Sequence, residues 1–180
     1  MRTVRRPRLG AGFTLAVVLC ALAVAVPAVA AVRESRFVER ATAANHATVS
    51  CYDRRDWAKL VVTSHPEFRG HVTDVYGLWL YESREIALPA KGCTALTRWR
   101  QTRADRLSLW IFVLGHELTH VEQTDWYNAP WSRRFDETEA NCGGLAKFSR
   151  IKRALGISRR LTPPARDLVG CPLRSARPRR

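Results

Sequence analysis

The chain has 180 residues, enough for one domain with a hydrophobic core, and its six tryptophans argue against a disordered protein. The formal net charge is +14, but eight arginines and no acidic residue lie in residues 1–30 and 172–180. More than half of the excess positive charge therefore lies at the two ends. No sequence motif of the usual nucleic-acid-binding classes occurs, so specific nucleic-acid binding is not expected.

The first thirty residues have the pattern of an export signal. The basic stretch MRTVRRPRLG precedes the apolar run GFTLAVVLCALAVAV, and the sequence AVA at residues 28–30 forms a cleavage site. We expect residues 1–30 to be a secretory signal peptide. The alternative is an uncleaved membrane anchor, because the apolar run at 12–32 is about long enough to span a bilayer. Under either reading we expect an extracytoplasmic domain, secreted or membrane-anchored.

The first half of the exported chain predicts a mixture of helix and strand. Residues 31–50 have helical composition, so we expect a helical lead-in or linker before a domain at 51–172. A short helix follows at 53–62, where Asp53 can cap the first turn. Residues 72–90 carry strand-forming side chains on both sides of a polar break, which predicts a small antiparallel hairpin.

Helical periodicity dominates the second half. A helix at 93–101 is followed by a longer one, for which Thr102 and Asp105 suggest a capping box. Its apolar residues recur at helical spacing: Leu107, Trp110, Val113, Leu114, Leu118 and Val121. Another helix is predicted at about 133–150, with Gly143-Gly144 as a possible bend or interruption. The fold class is therefore α+β, mostly helical, with a small sheet before the long helix and a basic disordered tail at 173–180.

The long helix contains the motif HELTH. Residues four apart on a helix are turned by about 40°, so the imidazoles of His116 and His120 point the same way and can bind one Zn²⁺. Glu117 is turned by about 100° from His116, which suits a general base better than a ligand. A catalytic zinc needs a third protein ligand. The pattern HExxHxxGxxH cannot supply it, because Gln123 and Trp126 replace the required glycine and histidine.

The segment DETEANC, which starts sixteen residues after His120, offers a carboxylate instead. HELTH followed by ExxAN resembles the gluzincin type of metallopeptidase. The segment D-E-x-x-A-x-C is also similar to small exported zincin-like domains of bacterial, largely actinobacterial, type. The resemblance implies that Glu137 is the third zinc ligand and that Asn141 hydrogen-bonds a ligand histidine. Glu139 is a rival ligand, but it points about 160° away from Glu137 on a helix, so both cannot serve.

The resemblance implies a zinc-dependent metallopeptidase or amidase with Glu117 as general base, acting on peptides, proteins or cell-wall cross-links. An extended peptide would pair with the strand around 77–81. A hydrogen-bond donor to the transition state is also expected, with Tyr127, His71 and Tyr81 as candidates. Two alternatives stay open. One is a non-catalytic zinc-containing module that binds an anionic envelope polymer, and the other is an amphipathic helix whose two histidines lie at the surface.

Four cysteines follow the signal segment, and an even number in an exported domain predicts two disulfides. Their spacing is too long for a C-x-x-C zinc site. Three connectivities are possible, of which we expect Cys93–Cys142 and Cys51–Cys171. The first would attach the helix carrying Glu137 to the segment before the HELTH helix, and the second would join the two ends of the domain.

Overall fold

The computed structural model describes residues 33–127 and 137–172, and for residues 125–127 it describes the backbone only. The predicted signal peptide or anchor at 1–30 and the predicted tail at 173–180 lie outside the described residues. Within the described ranges, no helix is both long and apolar enough to cross a bilayer.

The fold is α+β, as predicted, with a three-stranded sheet in the described part of the chain. The strands are β1 (Thr48–Tyr52), β2 (Leu78–Leu80) and β3 (Glu85–Pro89), in the spatial order β1-β3-β2. The predicted hairpin is confirmed, because β2 and β3 pair antiparallel across a turn at 81–84. The parallel pairing of β1 with β3 was not predicted. It makes β2 an edge strand of this sheet.

Helices cover the sheet and form the second half of the fold. Asp53 caps α2 as predicted, since its side chain accepts hydrogen bonds from the backbone N–H groups of Arg55 and Asp56. The predicted capping box at Thr102 is wrong: this hydroxyl donates to the carbonyls of Ala95 and Arg98. The helices are α1 (33–39), α2 (Arg54–Ser64), α3 (Ala90–Thr97), α4 (Ala104–Tyr127) and α5 (Glu137–Ala154).

The described part of the predicted lead-in, residues 33–50, packs on the rest of the chain. Helix α1 buries Val38 completely in the main core, and β1 begins within this segment at Thr48. The apolar face of α4 lies at the centre of the same core, as its periodicity predicts. Its fully buried members are Leu107, Ile111, Leu114, Leu118 and Val121. A smaller core lies between α2 and the sheet and contains Trp57, Val61, Val75, Leu78 and Ala87.

Helices α4 and α5 cross at glycines. A Cβ atom added to Gly115 would lie 2.9 Å from the carbonyl oxygen of Gly144, and one added to Gly144 would lie 3.0 Å from the carbonyl oxygen of Phe112. The two backbones therefore approach more closely than side chains would allow. The possible interruption at Gly143-Gly144 does not occur, because α5 continues as helix through both residues.

All four predicted cysteines form disulfides, but the predicted pairing is wrong. Cys51 on β1 is bonded to Cys93 on α3, and Cys142 on α5 is bonded to Cys171 in the segment after that helix. The error has a physical cause. Strand β1, which was not predicted, pairs with β3 and sets Cys51 opposite Leu88. Leu88 lies just before α3, and Cys93 is in the first turn of that helix, so the two cysteines are close.

Candidate metal centre

Three predicted ligands come together where α5 begins beside α4. His116 and His120 point from α4 toward Glu137, the first residue of α5. His116 Nε2 lies 3.0 Å from His120 Nε2 and 3.2 Å from Glu137 Oε2. His120 Nε2 lies 3.5 Å from Glu137 Oε1. The close glycine crossing of α4 and α5 brings these side chains within reach of one another.

These distances fit a tetrahedral zinc site. A zinc ion with ligand atoms at 2.0–2.1 Å in tetrahedral geometry places neighbouring ligand atoms about 3.3 Å apart. The observed separations of 3.0, 3.2 and 3.5 Å are close to this value, although the last two join the histidines to different oxygens of Glu137. One ligand atom chosen from each residue gives a set that lies within 4.8 Å. Two imidazole nitrogens and one carboxylate oxygen are also a ligand set that zinc accepts in catalytic sites. Within the described residues, this is the group of histidine, cysteine and acidic side chains that could hold a metal ion.

The opposite nitrogen of each imidazole is held by a side-chain amide. Asn141 places Oδ1 at 2.9 Å from His116 Nδ1, which is the contact expected of this residue. Gln123 places Oε1 at 2.8 Å from His120 Nδ1. An amide oxygen only accepts, so each Nδ1 carries the proton and each Nε2 keeps its lone pair. Two lone pairs 3.0 Å apart repel each other unless a proton or a cation lies between them.

A proton on either Nε2 atom would remove that repulsion and could be donated to Glu137. Burial lowers the pKa of His120, but the hydrogen bond to Glu137, the charge of Glu117 and the hydrogen bond to Gln123 outweigh it, and the pKa is raised overall. Hydrogen bonds from His116 and His120 hold the pKa of Glu137 well below its ordinary value. Glu137 therefore stays ionised, as a carboxylate ligand must.

The rival ligand Glu139 lies outside the group. Its Oε2 atom accepts a hydrogen bond of 3.1 Å from the Gln123 side-chain amide. The 100° rotation per residue of the helix sends Glu137 and Glu139 to different neighbours, as the predicted angle between them requires. Glu137 is thus the carboxylate that meets both histidines.

Glu117 lies beside the ligands under the edge of the sheet. Its side chain is only 4% exposed, and burial raises the pKa of its carboxyl group above the ordinary value. Gly77, directly before β2, covers it: a Cβ atom at this position would lie 2.5 Å from Glu117 Oε1. Sequence reasoning did not single out Gly77 for this role, although a glycine beside a strand is a known sign of close approach.

A cleft of about 390 Å³ opens over the three ligands and Glu117. One wall is formed by α4 and α5, and the other by the turns that follow α2, from His65 onward, and by β2. Trp79 on β2 links the two walls by donating from its indole N–H to Thr124 at 3.0 Å. The second wall contributes aromatic and apolar side chains: Phe68, Val75, Tyr76, Leu78 and Trp79.

His65 also lines this cleft, although the sequence suggested only a solvated loop position. Its Nδ1 atom lies 3.1 Å from Glu67 Oε1, which holds the ring and leaves Nε2 as the other hydrogen-bonding atom. The predicted donors His71 and Tyr81 do not line the cleft as the described residues define it. The side chain of Tyr127 lies outside the described residues. No periodic signal marked His65, because it stands in an irregular segment.

Comparison of the chain with protein-family models, with curated proteins and with solved structures found no match. The function must therefore be argued from the geometry and chemistry of this site.

Proposed function

We propose that the protein is a zinc-dependent peptidase or amidase with His116, His120 and Glu137 as metal ligands and Glu117 as general base. The observation that carries this proposal is that one ligand atom from each of the three residues lies within 4.8 Å of the others, with Glu117 buried next to them. A catalytic zinc site has three protein ligands and one open position, and this group opens onto a cleft. Among the described residues, no fourth side chain of the ligand types joins the group, as a closed structural site would require.

When bound, a zinc ion supplies Lewis-acid chemistry, polarising a carbonyl group and lowering the pKa of water. The chain supplies the remaining steps. Glu117 takes the proton of the attacking water on its carboxylate and returns it to the departing amine. Its burial next to Gly77 keeps bulk water from competing for that proton.

Substrate positioning falls to the second wall of the cleft. The edge strand β2 offers backbone hydrogen-bonding groups to an extended peptide, which favours a peptide or amide substrate over a small molecule. His65, held by Glu67, is our candidate for the hydrogen-bond donor to the developing oxyanion, since His71 and Tyr81 do not line the cleft and the side chain of Tyr127 lies outside the described residues. We place the enzyme outside the cytoplasm, on the strength of its two disulfides and its export-like N-terminal sequence.

Metal analysis tests the site. After zinc loading and dialysis, we expect about one zinc per chain in the wild type. His116→Ala and Glu137→Ala should lose it, whereas Glu122→Gln, on the same helix but bonded to Lys147, should retain it. A wild type that binds no zinc would overturn the proposal. Zinc retained in Glu137→Ala and lost in Glu139→Ala would move the third ligand.

Hydrolysis of a library of internally quenched peptides tests catalysis. We expect Glu117→Gln to bind zinc normally and to lose about 10²–10⁴-fold in turnover. His65→Ala should lose about 10–100-fold with zinc retained, since it removes one transition-state donor. Equal turnover in Glu117→Gln and wild type would exclude Glu117 as the base. A wild type that binds zinc but cleaves no peptide would favour the non-catalytic module.

A further inference from the structure

The ring of His120 is held from both sides. Its Nε2 atom faces His116 and Glu137, whereas its Nδ1 atom contacts Oε1 of Gln123 at 2.8 Å. Gln123 lies three residues further along α4, so both side chains project from the same face of the helix. Both are buried, with exposed fractions of 6% and 7%.

A second contact fixes which end of the Gln123 amide faces His120. The amide nitrogen of Gln123 lies 3.1 Å from Oε2 of Glu139. An ionised carboxylate only accepts hydrogen bonds, so the NH₂ end of the amide must point toward Glu139 and the oxygen toward His120. The chain of donors and acceptors then has one direction, from His120 through Gln123 to Glu139, and it leaves the lone pair of His120 Nε2 directed at the metal position.

The two ligand histidines are therefore supported in different ways. His116 is held across the helix crossing by Asn141 of α5. His120 is held by the side-chain oxygen of Gln123, which lies on the same helix. The side-chain nitrogen of Gln123 in turn donates to Glu139 of α5. Partners that hold the non-ligating nitrogen of a metal-binding histidine set its tautomer and ring orientation, and their loss typically weakens metal binding by about 10–100-fold.

We propose that Gln123 and Glu139 form a positioning relay for His120 that sets the metal affinity of the site. The inference rests on the proposed zinc site, but not on any catalytic activity. It assigns a function to Gln123, which replaces the glycine of the pattern HExxHxxGxxH, and it gives Glu139 a role through Gln123 in place of direct metal binding. Gln123 and Glu139 touch neither metal nor substrate.

A series of variants that removes the amide of Gln123, or exchanges it with the carboxylate of Glu139, distinguishes the relay from a purely structural bridge between α4 and α5. Gln123→Leu removes the acceptor of His120 Nδ1 and should weaken zinc binding about 10–100-fold. Gln123→Glu keeps an acceptor for His120 Nδ1 but sets two carboxylates against each other. The double variant Gln123→Glu with Glu139→Gln removes that repulsion and keeps an amide donor opposite the carboxylate. Its zinc affinity should be at least that of the wild type, because a carboxylate raises the basicity of the histidine that it holds.

The measurement is the dissociation constant for zinc alone, from competition with a chromophoric chelator, on metal-free proteins whose melting temperatures are recorded in parallel. Glu139→Leu is the second variant, because its exposed position makes misfolding no concern. It should weaken binding several-fold, whereas Glu122→Gln should not change it. Equal zinc affinities in Gln123→Leu and wild type, or a double variant as weak as Gln123→Leu, would overturn the relay alone. A wild type without zinc would overturn the relay and the proposed function together.

Discussion

The two walls of the cleft are built differently. The wall formed by α4 and α5 is two long helices whose backbones touch at Gly115 and Gly144, with hydrogen bonds on both ligand histidines. The facing wall consists of residues after α2, among them parts of two single-turn 3₁₀ helices (Pro66–Phe68 and Val72–Asp74), and of Leu78 and Trp79 of β2. Its Phe68 and Tyr76 remain about 40% exposed.

The difference separates two tasks. Under the proposed function, metal ligands and a general base must be held to a fraction of an ångström, and regular helices with interlocking side chains provide this. Substrate contacts need accessible backbone edges and apolar surface, which short strands and turns provide. Apart from Glu117, we therefore expect substitutions on the helical wall to change metal binding and stability, and substitutions on the facing wall to change turnover and substrate affinity.

We expect the largest effect for Gly77→Ala, a substitution on the facing wall that disturbs Glu117 on the helical wall. The new methyl group would lie 2.5 Å from Glu117 Oε1, so the buried carboxylate must move. Displacement of a catalytic group by about 1 Å can cost about 100-fold in rate. We expect turnover to fall by about that factor while zinc affinity stays within a few-fold of the wild type. The turnover of Glu117→Gln gives the lower limit, because that variant loses the base entirely. Loss of zinc instead of turnover would show that the walls are not functionally separate.

On the helical wall, Gly115→Ala should lower the free energy of unfolding by about 1–3 kcal/mol, because its methyl group meets the backbone of Gly144. Zinc affinity should fall with it, since the helices must separate. Urea unfolding of the metal-free protein measures the first quantity and chelator competition the second. Gly144→Ala approaches the same crossing from α5 and should behave alike. Unchanged stability in both variants would mean that the crossing is looser than described.

A smaller effect is expected for the apolar surface of the facing wall. Phe68→Ala removes an aromatic side chain from the cleft and should lower kcat/KM for peptides about 3–10-fold, mainly through KM. Tyr81→Ala is the matched control, because Tyr81 is similarly exposed but lies outside the cleft. Peptide kinetics on both variants decide the point. Equal losses in the two would indicate a general surface effect.

The smallest effect concerns the sheet behind that wall. Tyr52 donates a hydrogen bond of 2.6 Å to Glu85, and burial together with this bond raises the pKa of Tyr52 to about 12. A raised folded-state pKa gives stability that is present below the unfolded value of about 10 and lost as pH rises toward 12. Tyr52→Phe should therefore be roughly 0.5–1 kcal/mol less stable at pH 8, with the gap closing by pH 12. A stability difference between Tyr52→Phe and wild type that does not change with pH would contradict the raised pKa of Tyr52.

The helical wall was largely predictable from the sequence. Helical spacing alone brings His116 and His120 to one face, and the same rule sends Glu137 and Glu139 apart. The positions of Glu137 and Asn141 followed from the resemblance of their motif, and the structure places both beside the histidines. Gln123 was overlooked because it was judged only as a missing glycine. Its spacing of three from His120 was the available signal.

The facing wall was less predictable because it depends on contacts between distant segments. TVSCY at 48–52 has strand-forming residues, but its parallel partner lies 37 residues further along, and no local pattern reports such a pairing. The cysteine pairing failed for the same reason, because it depended on where β1 lies. His65 and Gly77 stand in irregular segments, where neither helical nor strand periodicity indicates which way a residue faces.

The correct disulfides have a mechanical consequence. Cys51–Cys93 closes a covalent loop on the sheet side, and Cys142–Cys171 closes another on the side of α5. Among the described residues no cross-link runs from one wall of the cleft to the other. The spacing of the walls is therefore held by packing and by single hydrogen bonds such as that of Trp79 to Thr124, each worth about 1 kcal/mol. The cleft can widen for a bulky chain without breaking a covalent bond, while each wall keeps its own shape.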